Sequence, residues 1–372
     1  MIKELLMIVN EDRFFLSHRK DIAMAAQKEG WSVTIICKDT GQRKDVEALG
    51  LKMAELPINP TGTNLRQELL TFWFLLKLYR HHKDAIVHHV GMKLILWGGL
   101  AAKLAGIRGV VNAVSGLGVL FSTDHLSLMA KGILGILRFS HHRKNIRDIF
   151  QNSEDEQLFI HHRIIQPQDV VFIKGSGVDL DTYKYTPQPS NPVIKVLFTA
   201  RMLKEKGVLI LIEAANILRK DYEGRVEFLL CGGLSNNPKA IQKDELEQLC
   251  DGKYIQWLGF RTDVRQLLIN SHIMAFPSYY REGVPRSLIE ACAIGRPIVT
   301  THSIGCKDTV DDGSNGFLVP PQDPVALAEK LRILIEHPEL REEMGKNGRK
   351  KAEQEFSLND VVRKHIDIYQ SL

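Results

Sequence analysis

The sequence predicts an α/β fold with two Rossmann-like domains that face a central cleft. Short apolar runs alternate with longer amphipathic stretches along the chain, which is the pattern of strands and helices around a parallel sheet. A proline-containing break at residues 186–192 divides this alternation into two halves. The length of 372 residues also fits two domains better than one.

The first half supplies the elements of the N-terminal domain. We predict a helix at residues 17–29 and a helical segment between residues 90 and 109. Buried strands are predicted at residues 5–9, 32–37, 85–90, 109–113, 150–152 and 170–173. This domain covers residues 1–186, and we expect a C-terminal helix at residues 357–372 to pack back on it.

The alternation restarts after the break and predicts a C-terminal domain at residues 193–356. Its first strand precedes a helix at residues 207–219. The strands are predicted at residues 193–199, 226–231, 255–258, 273–276, 297–300 and 317–319. The prolines of residues 186–192 disfavour regular structure, so this segment is predicted to be a linker. Ligands of such sheets bind at the carboxyl ends of the strands.

The bulk composition excludes several classes of protein. A net charge of +5 is too small to indicate nucleic-acid binding. Five cysteines without a C-x-x-C spacing argue against a disulfide framework or a zinc site and favour a reducing cytosol. The N-terminus becomes charged too early for a signal peptide, and no apolar run approaches the roughly 20 residues that cross a bilayer. We therefore expect a cytoplasmic protein that meets membranes only from the surface.

Two cations follow the first strand of the second half. In TARMLKEKG, residues 199–207, Arg201 leaves the strand, and Lys206 with Gly207 opens the next helix. An arginine grips phosphate oxygens bidentately, a lysine adds a point charge, and a helix N-terminus adds amide donors. This spacing suits a diphosphate, and the alternative interpretation is a solvated basic loop.

Two carboxylates bracket the start of another predicted helix in REGVPRSLIEACAIGRP, residues 281–297. Glu282 precedes Gly283, which permits close approach of the backbone, and Pro285 suits a first helical turn. Glu290 then falls in the second turn. One carboxylate can accept hydrogen bonds from ribose hydroxyls while the other faces a transferred sugar. The alternative is that both carboxylates only complement the helix dipole.

Together these segments resemble the donor site of family 4 of the retaining glycosyltransferases. That site reads A-R-x-x-x-x-K-G, then E-x7-E with G-x-P inside it, then G-x-L-V-P. The matching segments lie at residues 200–207, 282–290 and 316–320, and L-G-F-x-x-D stands at residues 258–263. The resemblance covers nearly the whole chain. It implies the two-domain GT-B architecture, retention at the anomeric carbon and no obligatory metal.

The resemblance also implies roles for individual residues. The catalytic candidates are Arg201 and Lys206, which would bind the donor diphosphate, and Glu282, which would face the donor sugar. Two preorganised cations stabilise the charge that develops on a leaving diphosphate. The donor-binding candidates are Gly259, Arg261, Gly283, Val284, Pro285, Arg286 and Glu290, of which Glu290 would hold the ribose. No D-x-D sequence stands at a strand end, so we predict neither a metal site nor a cofactor.

The first half resembles bacterial enzymes that build polyprenyl-diphosphate-linked oligosaccharides. The resemblance lies in NEDRFFLSHRKDIAMAA at residues 10–26 and in SGLGVLF at residues 115–121, which is similar to their G-L-G-x-x-F segment. The acceptor-side candidates are Asn10, Phe15, His18, Ser115 and Gly116. Many members place a histidine where this chain has Ser115 and Gly116. The candidates to replace that histidine are His18, His88 and His89.

A basic stretch predicts contact with an anionic membrane surface. Residues 125–147 contain no acidic residue and interleave cations with apolar side chains such as Leu134, Leu137 and Phe139. A basic amphipathic helix can lie in the membrane interface, and residues 66–83 can assist it. The alternative is a helix that packs on the core and has a basic outer face.

The two resemblances together imply a retaining glycosyltransferase that moves a hexose or N-acetylhexosamine from a UDP-sugar to a polyprenyl-diphosphate-linked saccharide. The expected pathway is surface glycan or glycoprotein oligosaccharide biosynthesis. The expected location is the inner face of the cell membrane, with no nucleic-acid partner. We expect UDP rather than GDP in the donor only because UDP-sugars are the more frequent donors in this family. The alternatives are a non-hydrolysing UDP-sugar 2-epimerase and a non-catalytic protein that binds nucleotide sugars.

Overall fold

The computed structural model describes residues 3–60, 64–116, 128–235 and 240–372. It divides into two compact units: unit 1 comprises Met1–Ser176 with Asn359–Leu372, and unit 2 comprises Gly177–Leu358. Within the described ranges each unit is built on one parallel sheet, which confirms the predicted α/β fold class. Among the described helices, none combines the length and the apolar character that spanning a bilayer requires.

Unit 1 contains a seven-stranded parallel sheet with helices on both faces. Its strands are β1 (Lys3–Glu11), β2 (Trp31–Lys38), β3 (Lys52–Glu55), β4 (Ile86–Val90), β5 (Gly109–Ala113), β6 (Ile146–Phe150) and β7 (Val170–Phe172). Its helices are α1 (Asp12–His18), α2 (Lys20–Lys28), α3 (Arg43–Ala48), α4 (Leu65–His81), α5 (Met92–Ala105), α6 (Leu128–His141), α7 (Ser153–His161) and the last helix of the chain, α14 (Leu358–Gln370). The strand order is β3-β2-β1-β4-β5-β6-β7, which reverses direction between β1 and β4.

The apolar run in β1 shows how the sequence covers both faces of this sheet. Leu5, Met7 and Val9 are buried in one hydrophobic cluster, which also contains residues of α2 and α14. Leu6 and Ile8 are buried in a second cluster with residues of α4 and α5. Successive side chains of a strand point to opposite faces, so a continuous apolar run is expected of a strand covered on both sides.

Unit 2 contains a six-stranded parallel sheet around one hydrophobic cluster. Its strands are β8 (Ile194–Thr199), β9 (Val226–Cys231), β10 (Ile255–Gly259), β11 (Ile273–Phe276), β12 (Ile298–Thr301) and β13 (Gly316–Val319). Its helices are α8 (Val208–Tyr222), α9 (Lys243–Leu249), α10 (Val264–Ile269), α11 (Arg286–Ile294), α12 (Pro324–Glu336) and α13 (Pro338–Glu355). The strand order is β10-β9-β8-β11-β12-β13, which reverses direction between β8 and β11.

The segment at residues 186–192 is not the boundary that its prolines predict. The division between the units falls at Ser176 and Gly177, and the proline segment packs inside unit 2. The amide of Thr186 donates to the Ile294 carbonyl at 3.0 Å. The fully buried Arg296 guanidinium donates to the Pro187 carbonyl at 3.2 Å. Prolines lack an amide donor but keep their carbonyl acceptors, so they can dock without joining a sheet.

Other predicted elements differ at their edges. The helix predicted at residues 17–29 is two helices, α1 and α2, separated by Arg19 with a non-helical φ of −133°. The strand predicted at residues 150–152 lies earlier, as β6. The strand β3 was not predicted, because its four residues are exposed or half-buried and form no apolar run.

Candidate active site

The topological switch point of unit 2 brings two predicted motifs together. β8 and β11 are neighbouring parallel strands, so their carboxyl ends lie at the same edge of the sheet. Arg201 and Lys206 follow β8, and Glu282 with Gly283 follows β11. Open α/β sheets bind ligands in the crevice where the strand order reverses. The cationic and acidic segments therefore border the position where a ligand is expected.

Glycines allow the backbones at this edge to approach closely. Gly207 has a φ of +81°, and a Cβ atom there would lie 2.0 Å from the Pro277 carbonyl oxygen. Gly305, in the loop after β12, has a φ of +83°, and its Cβ would lie 2.0 Å from the Gly283 carbonyl oxygen. Both positions exclude any side chain. The loops after β8, β11 and β12 are consequently held in contact.

Lys206 is fixed in this site by Glu282. Its ammonium donates to Glu282 Oε1, and the two side chains are only 16% and 12% exposed. The Ser278 hydroxyl donates to the same carboxylate oxygen at 3.1 Å. The ammonium also lies 5.7 Å from the centroid of the Tyr280 ring, within the range of a cation–π contact. These contacts hold a cation in one place before any ligand arrives.

Glu290 lies in the second turn of α11, as predicted from Pro285, and is 7% exposed. Its Oε1 accepts a hydrogen bond from Arg286 Nε at 2.8 Å and another from the Tyr183 hydroxyl at 3.0 Å. Burial and the adjacent carboxylate raise the pKa of Tyr183 above its ordinary value, so the hydroxyl keeps its proton and donates. Two donors on one oxygen set the orientation of the carboxylate.

The remaining donor-side candidates lie around these pairs. Arg201 is exposed just beyond β8 and forms no ion pair with any described residue. Pro285 directly precedes α11, and Val284 beside it is buried. Gly259 ends β10 with a φ of +67°. Arg261 is exposed, and its guanidinium binds Asp263 bidentately at 2.8 and 2.6 Å.

Two residues at this edge belong to none of the predicted motifs. Tyr183 belongs to no predicted motif and reaches Glu290 only through the fold. Gly232 follows β9, and a Cβ atom there would lie 1.7 Å from the Ala200 carbonyl oxygen. Its amide donates to the Gly259 carbonyl at 2.8 Å, which joins the ends of β9 and β10. The signal that could have found it is the glycine doublet at residues 232–233 directly after an apolar strand.

The acceptor-side candidates of unit 1 have different surroundings. Asn10 lies in β1 beside Gly91, which follows β4, so Asn10 stands at the switch point of this sheet. Ser115 and Gly116 are half-buried after β5, but residues 117–121 of the same motif lie outside the described residues. His18 is half-buried and stacks on Phe14 at 4.3 Å. Phe15 is fully buried in the core, so the prediction that it contacts an acceptor is wrong.

The histidines of β4 are part of the core. His88 and His89 are fully buried. His88 Nδ1 lies 2.7 Å from the Tyr369 hydroxyl, and His89 lies between the Tyr79 hydroxyl at 2.8 Å and Asn112 Oδ1 at 2.9 Å. Burial lowers the pKa of His89 to about 4. The suggestion that either could replace an active-site histidine is therefore wrong, because a strand covered on both faces withholds its side chains from ligands.

The basic stretch at residues 125–147 is not one amphipathic helix. Residues 125–127 lie outside the described residues, α6 ends at His141, and Arg147 belongs to β6. Leu134 and Leu137 are buried in a hydrophobic cluster, so they cannot insert into a membrane as predicted. Phe139 is 50% exposed. Most of the described apolar side chains of α6 therefore pack in the core and are not available for membrane insertion.

Cations and carboxylates, rather than metal ligands, characterise the described part of the site. No group of three or more histidine, cysteine, aspartate or glutamate side chains in the described ranges is arranged to hold a metal ion. The charged groups at the switch point of unit 2 are instead arranged as the Lys206–Glu282 and Arg286–Glu290 pairs.

Comparisons with known proteins find relatives of both halves of the chain. The family described as glycosyl transferases group 1 matches residues 186–351, and the family described as glycosyl transferase 4-like matches residues 4–153. A curated relative from Campylobacter jejuni subsp. jejuni, N,N'-diacetylbacillosaminyl-diphospho-undecaprenol alpha-1,3-N-acetylgalactosaminyltransferase, is 26% identical over 95% of this chain and 97% of its own length. An Escherichia coli relative, UDP-Gal:alpha-D-GlcNAc-diphosphoundecaprenol alpha-1,3-galactosyltransferase, is 26% identical over 92% of this chain and 89% of its own length.

A solved structure extends the comparison to the fold. The Anabaena protein HepE, solved in complex with UDP, aligns with a TM-score of 0.78 over 100% of both chains at 19% identity. The two family matches lie in different halves of this chain and follow the order of its two sheets. Each half of the chain therefore matches a glycosyltransferase family, 4-like in the N-terminal half and group 1 in the C-terminal half, and the fold is that of the GT-B glycosyltransferases.

Proposed function

We propose that this chain is a retaining glycosyltransferase that moves a hexose or N-acetylhexosamine from a UDP-sugar to a saccharide linked to polyprenyl diphosphate. The reaction belongs to surface glycan or glycoprotein oligosaccharide biosynthesis at the cytoplasmic face of the membrane. The C. jejuni and E. coli relatives support this proposal, because both are named as transferases that use undecaprenyl-diphosphate-linked sugars and both match most of the chain.

The observation that carries the proposal is the Lys206–Glu282 pair at the switch point of unit 2. Breaking the bond between the anomeric carbon and the diphosphate oxygen leaves negative charge on UDP. The anomeric carbon bonds to the acceptor hydroxyl oxygen, and the hydroxyl proton leaves with the diphosphate. A lysine already held by Glu282 stabilises that charge with little reorganisation, and the exposed Arg201 supplies a second, bidentate cation.

The other residues of unit 2 fit the nucleoside part of the donor. A carboxylate held by Arg286 and Tyr183 suits two ribose hydroxyls, so Glu290 binds the ribose. Gly259 and Arg261, at the end of β10, flank the base. Unit 1 binds the acceptor, and Asn10 at its own switch point contacts the acceptor saccharide.

The acceptor's polyprenyl tail stays in the bilayer, so the enzyme must approach an anionic membrane surface. The outer face of α4 suits this contact better than α6. Leu70 and Trp73 are 58% and 60% exposed on it, and Leu65 and Leu69 are exposed nearby. The exposed Arg66, Lys77 and Arg80 lie along the same helix, whereas its acidic residue, Glu68, is buried and paired with Lys93. Apolar and cationic side chains on one exposed face are typical of helices that bind anionic membrane interfaces.

The test is a transfer assay with a panel of UDP-sugars, each incubated with a polyprenyl-diphosphate-linked saccharide and followed by mass spectrometry. We expect one UDP-sugar to add a single sugar residue. We also expect the reaction to persist in EDTA, because Arg201 and Lys206 supply positive charge for the diphosphate. Conversion of the UDP-sugar into its 2-epimer without an acceptor would indicate the epimerase alternative. Binding of UDP-sugar without turnover would indicate the non-catalytic alternative.

A further inference from the structure

Unit 1 has a cavity of about 920 Å³ at the edge of its sheet opposite to the proposed acceptor site. Its lining comes from the end of α6, the residues that lead into β6, and the segment between α7 and β7. These positions precede β6 or β7 or, for Arg147, lie at the start of β6, so the cavity lies at the amino ends of β6 and β7. Asn10 and Ser115, in contrast, lie at the carboxyl ends of β1 and β5. The cavity is therefore not part of the proposed reaction site.

The lining is strongly cationic. Among the described residues around the cavity, five permanent cations face one carboxylate: Arg138, Arg143, Lys144, Arg147 and Arg163, with Asp169. Burial raises the pKa of Asp169 above its ordinary value, and the nearby Asp148 carboxylate raises it further. The positive charge of the cavity is consequently far from balanced by its own walls.

Some of this charge has a structural use. Arg138 Nε donates to the His162 carbonyl at 2.7 Å, at the end of α7, where a cation complements the helix dipole. Arg143 donates to the Ile107 carbonyl. Arg147 lies 3.8 Å from Asp169. These contacts explain why arginines stand at those three positions.

The other cationic groups of the cavity have no hydrogen-bond partner among the described residues. Arg143 Nε and Nη1 are buried and have no hydrogen-bond partner. Lys144 and Arg163 are exposed and form no hydrogen bond or ion pair through their side chains with any part of the chain that the structure describes. Arg163 also has a φ of +52°, in the left-handed region where glycine or asparagine is usual after a helix. An arginine kept at such a position adds a cation to the rim at a conformational cost.

We propose that this cavity binds a ligand with clustered phosphate groups at a site separate from the sugar-transfer reaction. Several guanidinium groups in one cavity match phosphate oxygens, because each can donate bidentately. The volume is within the range of pockets for small organic ligands and exceeds what one inorganic phosphate fills. Ile160 and Ile164 add apolar lining, which suits an organic part next to the phosphates. The source is either a soluble polyphosphate or the headgroup of an anionic phospholipid.

The test uses the full chain, with inorganic pyrophosphate as the soluble probe and calorimetry as the readout. Titrations are made with and without excess UDP, because UDP fills the proposed donor site. Binding in the cavity is the part that the following variant removes. The variant Lys144→Glu with Arg163→Glu changes two exposed side chains without partners among the described residues, so we expect it to fold. The matched control, Lys28→Glu with Lys52→Glu, makes the same charge change at exposed positions on α2 and β3.

We expect the wild type and the control to bind pyrophosphate, and the cavity variant to bind at least about tenfold more weakly, because charge-assisted hydrogen bonds are lost. Vesicles of phosphatidylglycerol, compared with phosphatidylcholine, identify the source. Displacement of pyrophosphate by phosphatidylglycerol alone indicates a lipid headgroup, and failure to displace it indicates a soluble ligand. Equal affinity in the cavity variant and the control, or no binding by the wild type, overturns the proposal. Failure of the proposed sugar transfer would leave this comparison unchanged.

Discussion

Lys206 and Arg201 provide the same charge in different surroundings. Lys206 is tied to Glu282 and mostly buried, whereas Arg201 is exposed at the end of β8. If both stabilise a leaving diphosphate, the loss of either cation should raise the barrier of the chemical step. The ion pair at Lys206 adds a second consequence, because its removal leaves a largely buried carboxylate without its cation.

We predict that Arg201→Ala and Lys206→Ala each lower kcat/KM by about 100-fold or more, the scale of losing one preorganised charge stabiliser. Steady-state kinetics of sugar transfer measure this effect. Lys204→Ala is the matched control, because Lys204 lies in the same turn and its ion pair with Glu245, at 3.7 Å, is on the surface. Thermal melting shows whether each variant is folded. Normal kcat/KM in both folded variants would remove the diphosphate assignment.

Tyr183 is a positioning residue for Glu290. We predict that Tyr183→Phe weakens UDP binding by about 3- to 30-fold, because one hydrogen bond to a charged group is lost. KM for the donor should rise while kcat stays within about twofold, since the contact concerns binding and not the leaving charge. Tyr185→Phe is the control, because its ring packs at Gly295 and its hydroxyl makes no hydrogen bond with a described residue. Unchanged UDP affinity in Tyr183→Phe, with weakened affinity in Glu290→Ala, would contradict the positioning role.

At the scale of elements, α4 exposes apolar side chains such as Leu70 and Trp73, whereas Leu134 and Leu137 of α6 are buried. We predict that the wild type co-sediments with anionic vesicles at low salt and is released at high salt, because surface cations contribute about 1 kcal/mol each and are screened. Leu70→Ser with Trp73→Ser should reduce this binding by removing the apolar part of the face. The activity with a water-soluble acceptor analogue should not change.

Leu104→Ser with Val325→Ser is the matched control for α4, because these side chains are 51% and 56% exposed on other helices. If the α4 variant still binds the vesicles, the membrane contact lies elsewhere on unit 1. A wild type that ignores anionic vesicles at low salt would favour a soluble acceptor over a lipid-linked one.

At the scale of the whole molecule, buried histidines connect stability to pH. Burial lowers the pKa of His89 to about 4 and that of His365 to about 3, from an ordinary value of 6.5. The unfolded chain therefore takes up protons first as the pH falls below 6.5, and the folded state loses stability until the folded pKa is reached. His141 acts in the opposite sense. Burial alone lowers the pKa of His141, but the Asp148 carboxylate raises this pKa above the ordinary value. The stability that His141 contributes is therefore present in acid and is lost as the pH rises through the raised pKa.

We predict that the free energy of unfolding falls on the order of 3 kcal/mol between pH 6.5 and pH 4 for each strongly shifted histidine. Urea denaturation across this range measures the slope. His365→Gln should flatten it, whereas the exposed His302→Gln should not. An equally steep slope in His365→Gln would mean that other groups determine the acid sensitivity.

The sequence by itself determined the α/β class, most strands, and the motifs that contain Lys206, Glu282 and Glu290. The physical reason is local: strand and helix periodicity and the spacing of charged residues at strand ends are properties of the chain alone. The tertiary structure decided which side chains are available. It buried Phe15, His88 and His89 in the core and joined Tyr183 to Glu290 across more than a hundred residues. It also placed Arg138 of α6, Arg147 of β6 and Arg163 around one cavity. Burial and long-range contact depend on how the sheets and helices pack, and no local pattern specifies that packing.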